Sequence, residues 1–170
     1  EGIYNSRCRI YWNDNVQLPD TGCYERSRES LQGKAVFKVE GTKARVRFRD
    51  LWMVSRTIGR DCGNIGEPTQ IQADDTTAIL LDAQSGGNIS DVIFENVSMT
   101  AFTYGIKAVG NSISDVKMRG VRPYANYRQL YIYAAYAYDW DVQNFNLSGM
   151  LAGQGAVEIK NAGAPVATPD

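Results

Sequence analysis

The residues best suited to chemistry are three carboxylates that the strand pattern brings to one face. When Phe37 and Val39 of AVFKVE are matched to Ile79 and Leu81 of AILLDA, Glu40 falls beside Asp82 on the outside of neighbouring strands. The expected separation of about 5 Å is that of retaining glycosidases. Crowding raises the pKa of one carboxyl in such a pair, as general acid catalysis requires. Asp75, at the end of a long polar loop, is expected to reach the same side. The predicted catalytic group is therefore Glu40, Asp82 and Asp75, with a chance pairing among the 19 acidic residues as the alternative.

Tyrosines are concentrated in the stretch YANYRQLYIYAAYAYDW, residues 124–140, which holds six of the ten tyrosines. Its central Leu, Ile and Ala alternate with other residues and are expected to point inward, so Tyr131 and Tyr133 should point outward. Lys107 belongs to the same face. Aromatic faces and phenol hydroxyls suit sugar rings. Lys107, Tyr131 and Tyr133 are therefore predicted to bind substrate.

A second outward set alternates in charge: Arg49, Glu95 and Arg119. On adjacent strands such residues form a ladder in which each pair contributes about 0–1 kcal/mol. A functional interpretation makes it a basic stripe that includes Arg119 and binds an acidic polysaccharide. A structural interpretation makes it a solvated face.

Composition excludes several classes of function. The net charge of −1 does not favour nucleic acid, and no apolar run reaches the roughly 18 residues of a membrane helix. Histidine is absent, which removes Ser-His triads and most zinc sites. The three cysteines match no metal spacing, although Cys8 and Cys23 would close a loop in an oxidising compartment and leave Cys62 unpaired. We therefore expect no nucleic-acid partner and no membrane insertion.

No cofactor is expected, with calcium as the one ion left open. Asp91, Asp115 and Asp141 are predicted to stack just before each repeated arc. Stacked carboxylates either bind calcium or accept hydrogen bonds from backbone N–H groups of the turn. Their repetition at a turn favours the second role.

The elements that must position these residues repeat along the chain. Four stretches align with spacings of 46, 24 and 26 residues: VRFRDLWM, VIFENVSM, VKMRGVRP and VQNFNLSG. A second strand pattern precedes each copy, and a fifth, AVEIKN, follows the last. Short strands at a period of 24–26 residues are typical of a parallel β-solenoid, in which each repeat is one coil. The predicted fold is all-β with about four to five coils.

The coil pattern predicts three segments. Residues 1–34 form an irregular segment or a partial coil, residues 35–161 form the solenoid, and residues 162–170 form a tail. The doubled spacing of 46 indicates a loop inserted at about residues 54–77, and such insertions commonly build the binding side. The start at Glu1 suggests a mature product or a piece of a longer chain.

The coils ISDVIFENVSM and ISDVKMRGVRP, with GIKAVGN between them, resemble the superfamily of pectate lyases, polygalacturonases and phage tailspikes over residues 35–161. The resemblance implies a right-handed parallel β-helix. The family's Asp-Asp-His constellation is incomplete without histidine, and the Arg/Lys-plus-calcium chemistry of the lyases has no clear local motif.

Together these features predict a carbohydrate-active domain that binds a polysaccharide and degrades it by hydrolysis or lyase chemistry. The alternative is a non-catalytic stalk, adhesin or receptor-binding module of a viral or cell-surface fibre. In either case the expected location is extracellular, on a cell surface or on a virion. The short coil count suggests a homotrimer or the remainder of a longer chain as a further partner.

Overall fold

The computed structural model describes residues 8–12, 16–17, 24–25, 33–55, 75–100, 102–124, 126–146 and 157–161. Within these ranges the regular structure consists of β-strands, with no helix. The strands are β1 (Cys8–Trp12), β2 (Val16–Gln17), β3 (Tyr24–Glu25), β4 (Ala35–Glu40), β5 (Lys43–Ser55), β6 (Thr77–Thr100), β7 (Tyr104–Arg119), β8 (Arg122–Tyr124), β9 (Arg128–Gln143) and β10 (Val157–Asn161).

Eight of these strands form one curled parallel sheet in the order β1-β5-β6-β7-β9-β10, with β4 and β8 also paired to β6. Strands β2 and β3 form a separate antiparallel pair. The predicted all-β, parallel architecture is confirmed. The N-terminal segment contributes β1, which pairs in parallel with β5, and AVEIKN supplies β10, which pairs with β9.

The sheet curls at two sets of stacked residues with positive φ, which we call the corner columns. Left-handed backbone is tolerated best by Gly, because it has no Cβ. Asn and Asp also tolerate it, because their short polar side chains bond locally to the backbone. In the second column the Asn96 amide donates to Asp50 Oδ1 at 2.8 Å. The first corner column is Arg45, Asp91, Asp115 and Asp139, and the second is Asp50, Asn96, Gly120 and Asn144.

Inside the curl, apolar residues stack in register from strand to strand. Phe48, Phe94 and Met118 form one such column, and the Phe48 and Phe94 rings stack with centroids 5.1 Å apart. Phe94 and Met118 are fully buried. Burial of a side chain of this size contributes about 1.5–3 kcal/mol, so the stacked columns are the main source of stability.

Buried polar groups close one edge of the core through a short network. Asn126 accepts from Phe102 N–H at 2.8 Å and donates to Met99 C=O at 3.1 Å and to Gln129 Oε1 at 2.7 Å. This one side chain therefore satisfies a backbone group at the end of β6 and one in the segment after it, both of which would otherwise be costly to bury.

The predicted register of the last repeat is wrong by two residues. Trp140, rather than Val142, lies opposite Val116, so the spacing stays at 24 residues and Asp139, rather than Asp141, continues the column of Asp91 and Asp115. The physical reason is Trp140, which packs against the core and donates from its indole N–H to Ile113 C=O at 3.2 Å.

The same shift changes the outer residues of the last repeat. Gln143 stands beside Arg119, where the alignment placed Phe145, and Phe145 packs against the core instead. Most of the predicted loop at residues 54–77, the tail at residues 162–170, Cys23 and Cys62 lie outside the described residues.

Candidate functional site

Three tyrosines form a continuous aromatic surface on the outside of the sheet, which we call the tyrosine row: Tyr104, Tyr131 and Tyr133. The ring centroids of Tyr104 and Tyr131 lie 5.2 Å apart at an interplanar angle of 55°. Those of Tyr131 and Tyr133 lie 6.4 Å apart at 28°. The row therefore crosses from β7 to β9 and continues along β9.

Strand alternation fixes the direction of the β9 tyrosines. Leu130, Ile132 and Ala134 are each 4% exposed and fill the inner side. Tyr131 and Tyr133 therefore take the outer positions, as predicted, and Tyr133 is 43% exposed. Tyr104 at the start of β7 was not identified from sequence, because it lies three residues before Lys107 and strict alternation assigns it to the opposite face.

Two ion pairs flank the tyrosine row. Lys107 Nζ lies 3.2 Å from Asp75 Oδ1 and 4.3 Å from the centroid of the Tyr104 ring, within cation–π range. Arg128 contacts Glu158 with 2.6 Å between Nη1 and Oε2. Sequence analysis did not identify the Arg128–Glu158 pair, because it joins β9 to β10 across a spacing that differs from the 24-residue repeat.

Burial raises the pKa of the Tyr104 phenol, and the nearby negative charge of Asp75 adds to the effect. Both causes disfavour the phenolate. Tyr104 therefore keeps its hydroxyl proton at neutral and mildly alkaline pH and remains a hydrogen-bond donor.

The predicted carboxylate pair exists but holds a lysine between its members. Glu40 and Asp82 are in register on β4 and β6. Lys38 Nζ contacts Glu40 Oε1 at 3.1 Å and Asp82 Oδ2 at 3.2 Å, and we call these three residues the Lys38 triad. Hydrogen bonds to Glu40 and then to Asp82 raise the pKa of Lys38.

The two carboxylates of the Lys38 triad differ sharply in exposure. The Glu40 side chain is 62% exposed, whereas that of Asp82 is 3% exposed, although alternation places it on the outer side. Asp82 Oδ1 has no hydrogen-bond partner among the described residues. Both carboxylates contact the same ammonium group. The triad is therefore arranged as an ion network.

The remaining predicted site residues divide between two places. Asp75 joins Lys107 beside the tyrosine row. Arg119 lies at the end of β7, in register with Glu95. The first corner column lies between Arg119 and the tyrosine row. Glu95 forms an ion pair with Arg49, with 2.7 Å between Nε and Oε2. The structure thus brings Asp75, Lys107, Tyr131 and Tyr133 together and leaves Arg119 apart.

The stacked aspartates are engaged with basic side chains. Arg47 donates to both Asp91 carboxylate oxygens at 2.8 and 2.9 Å and holds the pKa of Asp91 below its ordinary value. Asp115 contacts Lys117 at 3.1 Å. Within the described ranges, no three His, Cys, Asp or Glu side chains are grouped so that they could hold a metal ion. The positive φ of Asp91 and Asp115 accords with a turn role.

No protein-family model matches this chain, and neither a curated protein nor a solved structure matches it. In the part of the chain that the structure describes, no helix is long and apolar enough to cross a membrane.

Proposed function

We propose that this chain is a polysaccharide-binding domain of the right-handed parallel β-helix class, built from about four to five coils. Its proposed location is extracellular, on a cell surface or on a virion. The observation that supports the proposal is the tyrosine row, which presents three neighbouring rings on the outer face of a rigid parallel sheet. Its partner is a glycan strand that lies across β7 and β9.

The chemistry of the row suits a sugar polymer. Tyrosine rings offer apolar surface to the C–H groups of a pyranose and hydroxyls to its oxygens. Because the rings stand on β-strands rather than on a loop, little conformational entropy is lost on binding. Neighbouring rings contact successive sugar units, so affinity accumulates along the polymer.

The first test removes one ring. Tyr131→Ala deletes the residue that contacts both of the other rings, and we expect at least a tenfold weaker Kd for a bound polysaccharide, or about 1.4 kcal/mol. Isothermal titration against a panel of soluble polysaccharides measures the change.

Tyr136→Ala is the matched control, because Tyr136 lies on the same strand, is 57% exposed and is not part of the row. We expect its Kd to stay within about twofold of wild type, or about 0.4 kcal/mol. Equal Kd values for wild type and Tyr131→Ala would contradict the proposal.

Hydrolysis is a second candidate, favoured by the register of Glu40 and Asp82 on adjacent strands. It requires one carboxyl to be released from Lys38 and protonated when substrate binds. Reducing-sugar and unsaturated-uronate release, measured on the same panel for wild type and Asp82→Asn, tests it. Release by wild type that Asp82→Asn abolishes would support catalysis. Equal release by both would remove Asp82 from the mechanism, and no release would leave a binding domain.

A further inference from the structure

We infer that the tyrosine row selects uncharged polysaccharides over acidic ones, an inference that rests on the proposed binding function. The carrying observation is the pairing of the cations beside the row. Lys107 forms an ion pair with Asp75, and Arg128 forms one with Glu158. These four side chains sum to zero charge, so the two ion pairs that the structure describes beside Tyr104 and Tyr131 add no net attraction for anions.

An acidic glycan must disrupt these pairs to reach Lys107 or Arg128. The Arg128–Glu158 contact is short, and both side chains are mostly buried, with 24% and 19% exposure. Lys107 is held by both Asp75 and the Tyr104 ring. If a uronate displaced Asp75, the freed carboxylate would remain beside the incoming negative charge and repel it.

On the outer face beyond the first corner column, three cations are also paired and so offer an acidic glycan no better binding site than Lys107 or Arg128. Arg47, Arg49 and Lys117 each contact a carboxylate of their own or a neighbouring strand. In the basic stripe considered from sequence, Arg49 is paired with Glu95, whereas the exposed Arg119 has no ion pair among the described contacts. A neutral sugar needs no such anchor, because its hydroxyls bond to phenol groups as donor or acceptor.

The test compares neutral and acidic polymers directly. Wild-type protein is titrated with soluble glucan, mannan and galactan and with polygalacturonate, alginate and heparin, at ionic strengths of roughly 0.05 and 0.5 M. We expect neutral polymers to bind with Kd values that change less than about twofold with salt, and acidic polymers to bind at least about tenfold more weakly.

The outcomes separate the two proposals. Tighter binding of an acidic polymer that weakens at high salt would overturn this inference and leave polysaccharide binding intact. Binding to none of the six polymers would overturn the proposed function itself. Neutral binding that Tyr131→Ala abolishes would support both.

A charge-unmasking variant provides an independent readout. Asp75→Asn releases Lys107, and we expect affinity for polygalacturonate to rise about three- to tenfold. Glu95→Gln is the control, because it removes the same charge next to Arg49, away from the row. An equal gain in both variants, or no gain in folded Asp75→Asn, would contradict selection by the pairs that flank the row.

Discussion

At the scale of single residues, the Lys38 triad combines one exposed and one buried carboxylate around a single ammonium. Sequence alternation predicted the direction of Asp82 and its register with Glu40, and both are observed. Its burial was not predicted, because alternation assigns a side chain to a face but does not say what covers it. Lys38 was likewise overlooked, although it lies two residues before Glu40 on the same face.

The triad predicts a clear difference between two substitutions. Lys38→Met leaves the buried Asp82 carboxylate without its cation, and we expect a loss of about 1–3 kcal/mol in the free energy of unfolding. Glu40→Gln, at the exposed partner, should change it by less than about 0.5 kcal/mol. Urea denaturation at neutral pH measures both. Similar losses in the two variants would show that Asp82 does not depend on Lys38.

The same lysine sets an alkaline pH dependence. The folded-state pKa of Lys38 is raised above its ordinary value of 10.5, so its contribution to stability is complete below that value. It is lost as the pH rises through the higher folded-state pKa. Between pH 10.5 and the folded-state pKa of Lys38, wild type should therefore lose more stability than Lys38→Met does. Urea midpoints measured across this pH range for both proteins test the difference. Parallel curves would contradict this.

At the scale of elements, regular spacing determined what the sequence could predict. From Asn88 and Ser112 onward, β6 and β7 keep a 24-residue spacing and similar apolar residues, so the register of this part was predicted correctly. β9 keeps the spacing too, but a tryptophan stands where earlier copies have valine, and the alignment followed Val142 instead of Trp140. The tyrosine row was partly predictable for the same reason: Tyr131 and Tyr133 follow from alternation, whereas the approach of Tyr104 depends on side-chain geometry.

Two glycines on β7 and after it should respond differently to a methyl group. A Cβ at Gly110, where φ is 106°, would lie 2.5 Å from the Ala83 carbonyl carbon, whereas at Gly120, where φ is 64°, the nearest atom is 3.7 Å away. Gly120→Ala should cost about 1–2 kcal/mol. Gly110→Ala should cost at least about 2 kcal/mol more, because the β6 backbone itself must move. Thermal and urea unfolding measure both, and equal costs would contradict the packing of β6 on β7.

At the scale of the whole molecule, the sheet has a centre and two ends. β6 and β7 have paired strands on both sides, and Ile79, Ile89 and Ile106 are fully buried there. β10 is outermost and carries Ile159 at 68% exposure. Stability should therefore fall from the centre toward the ends, because each strand depends on its immediate neighbours.

Hydrogen exchange tests this gradient. Amides of β6 and β7 should exchange most slowly, and those of β10 should exchange at least about tenfold faster, a difference of about 1.4 kcal/mol in opening free energy. Mass spectrometry of peptides from each strand measures the rates. Uniform protection across β6, β7 and β10 would instead indicate a single cooperative unit.

The fixed distance along the chain between the two corner columns also limits which insertions and deletions this sequence can accept. The short side between them holds residues 46–49, 92–95, 116–119 and 140–143, the same length in every row. One residue inserted there would turn the following apolar column outward. Single insertions and deletions on this side should therefore be selected against. A duplicated 24-residue unit, by contrast, carries both of its corners with it. The molecule can therefore lengthen by whole units, and extra residues accumulate on its other sides, as the 46-residue step from β5 to β6 already shows.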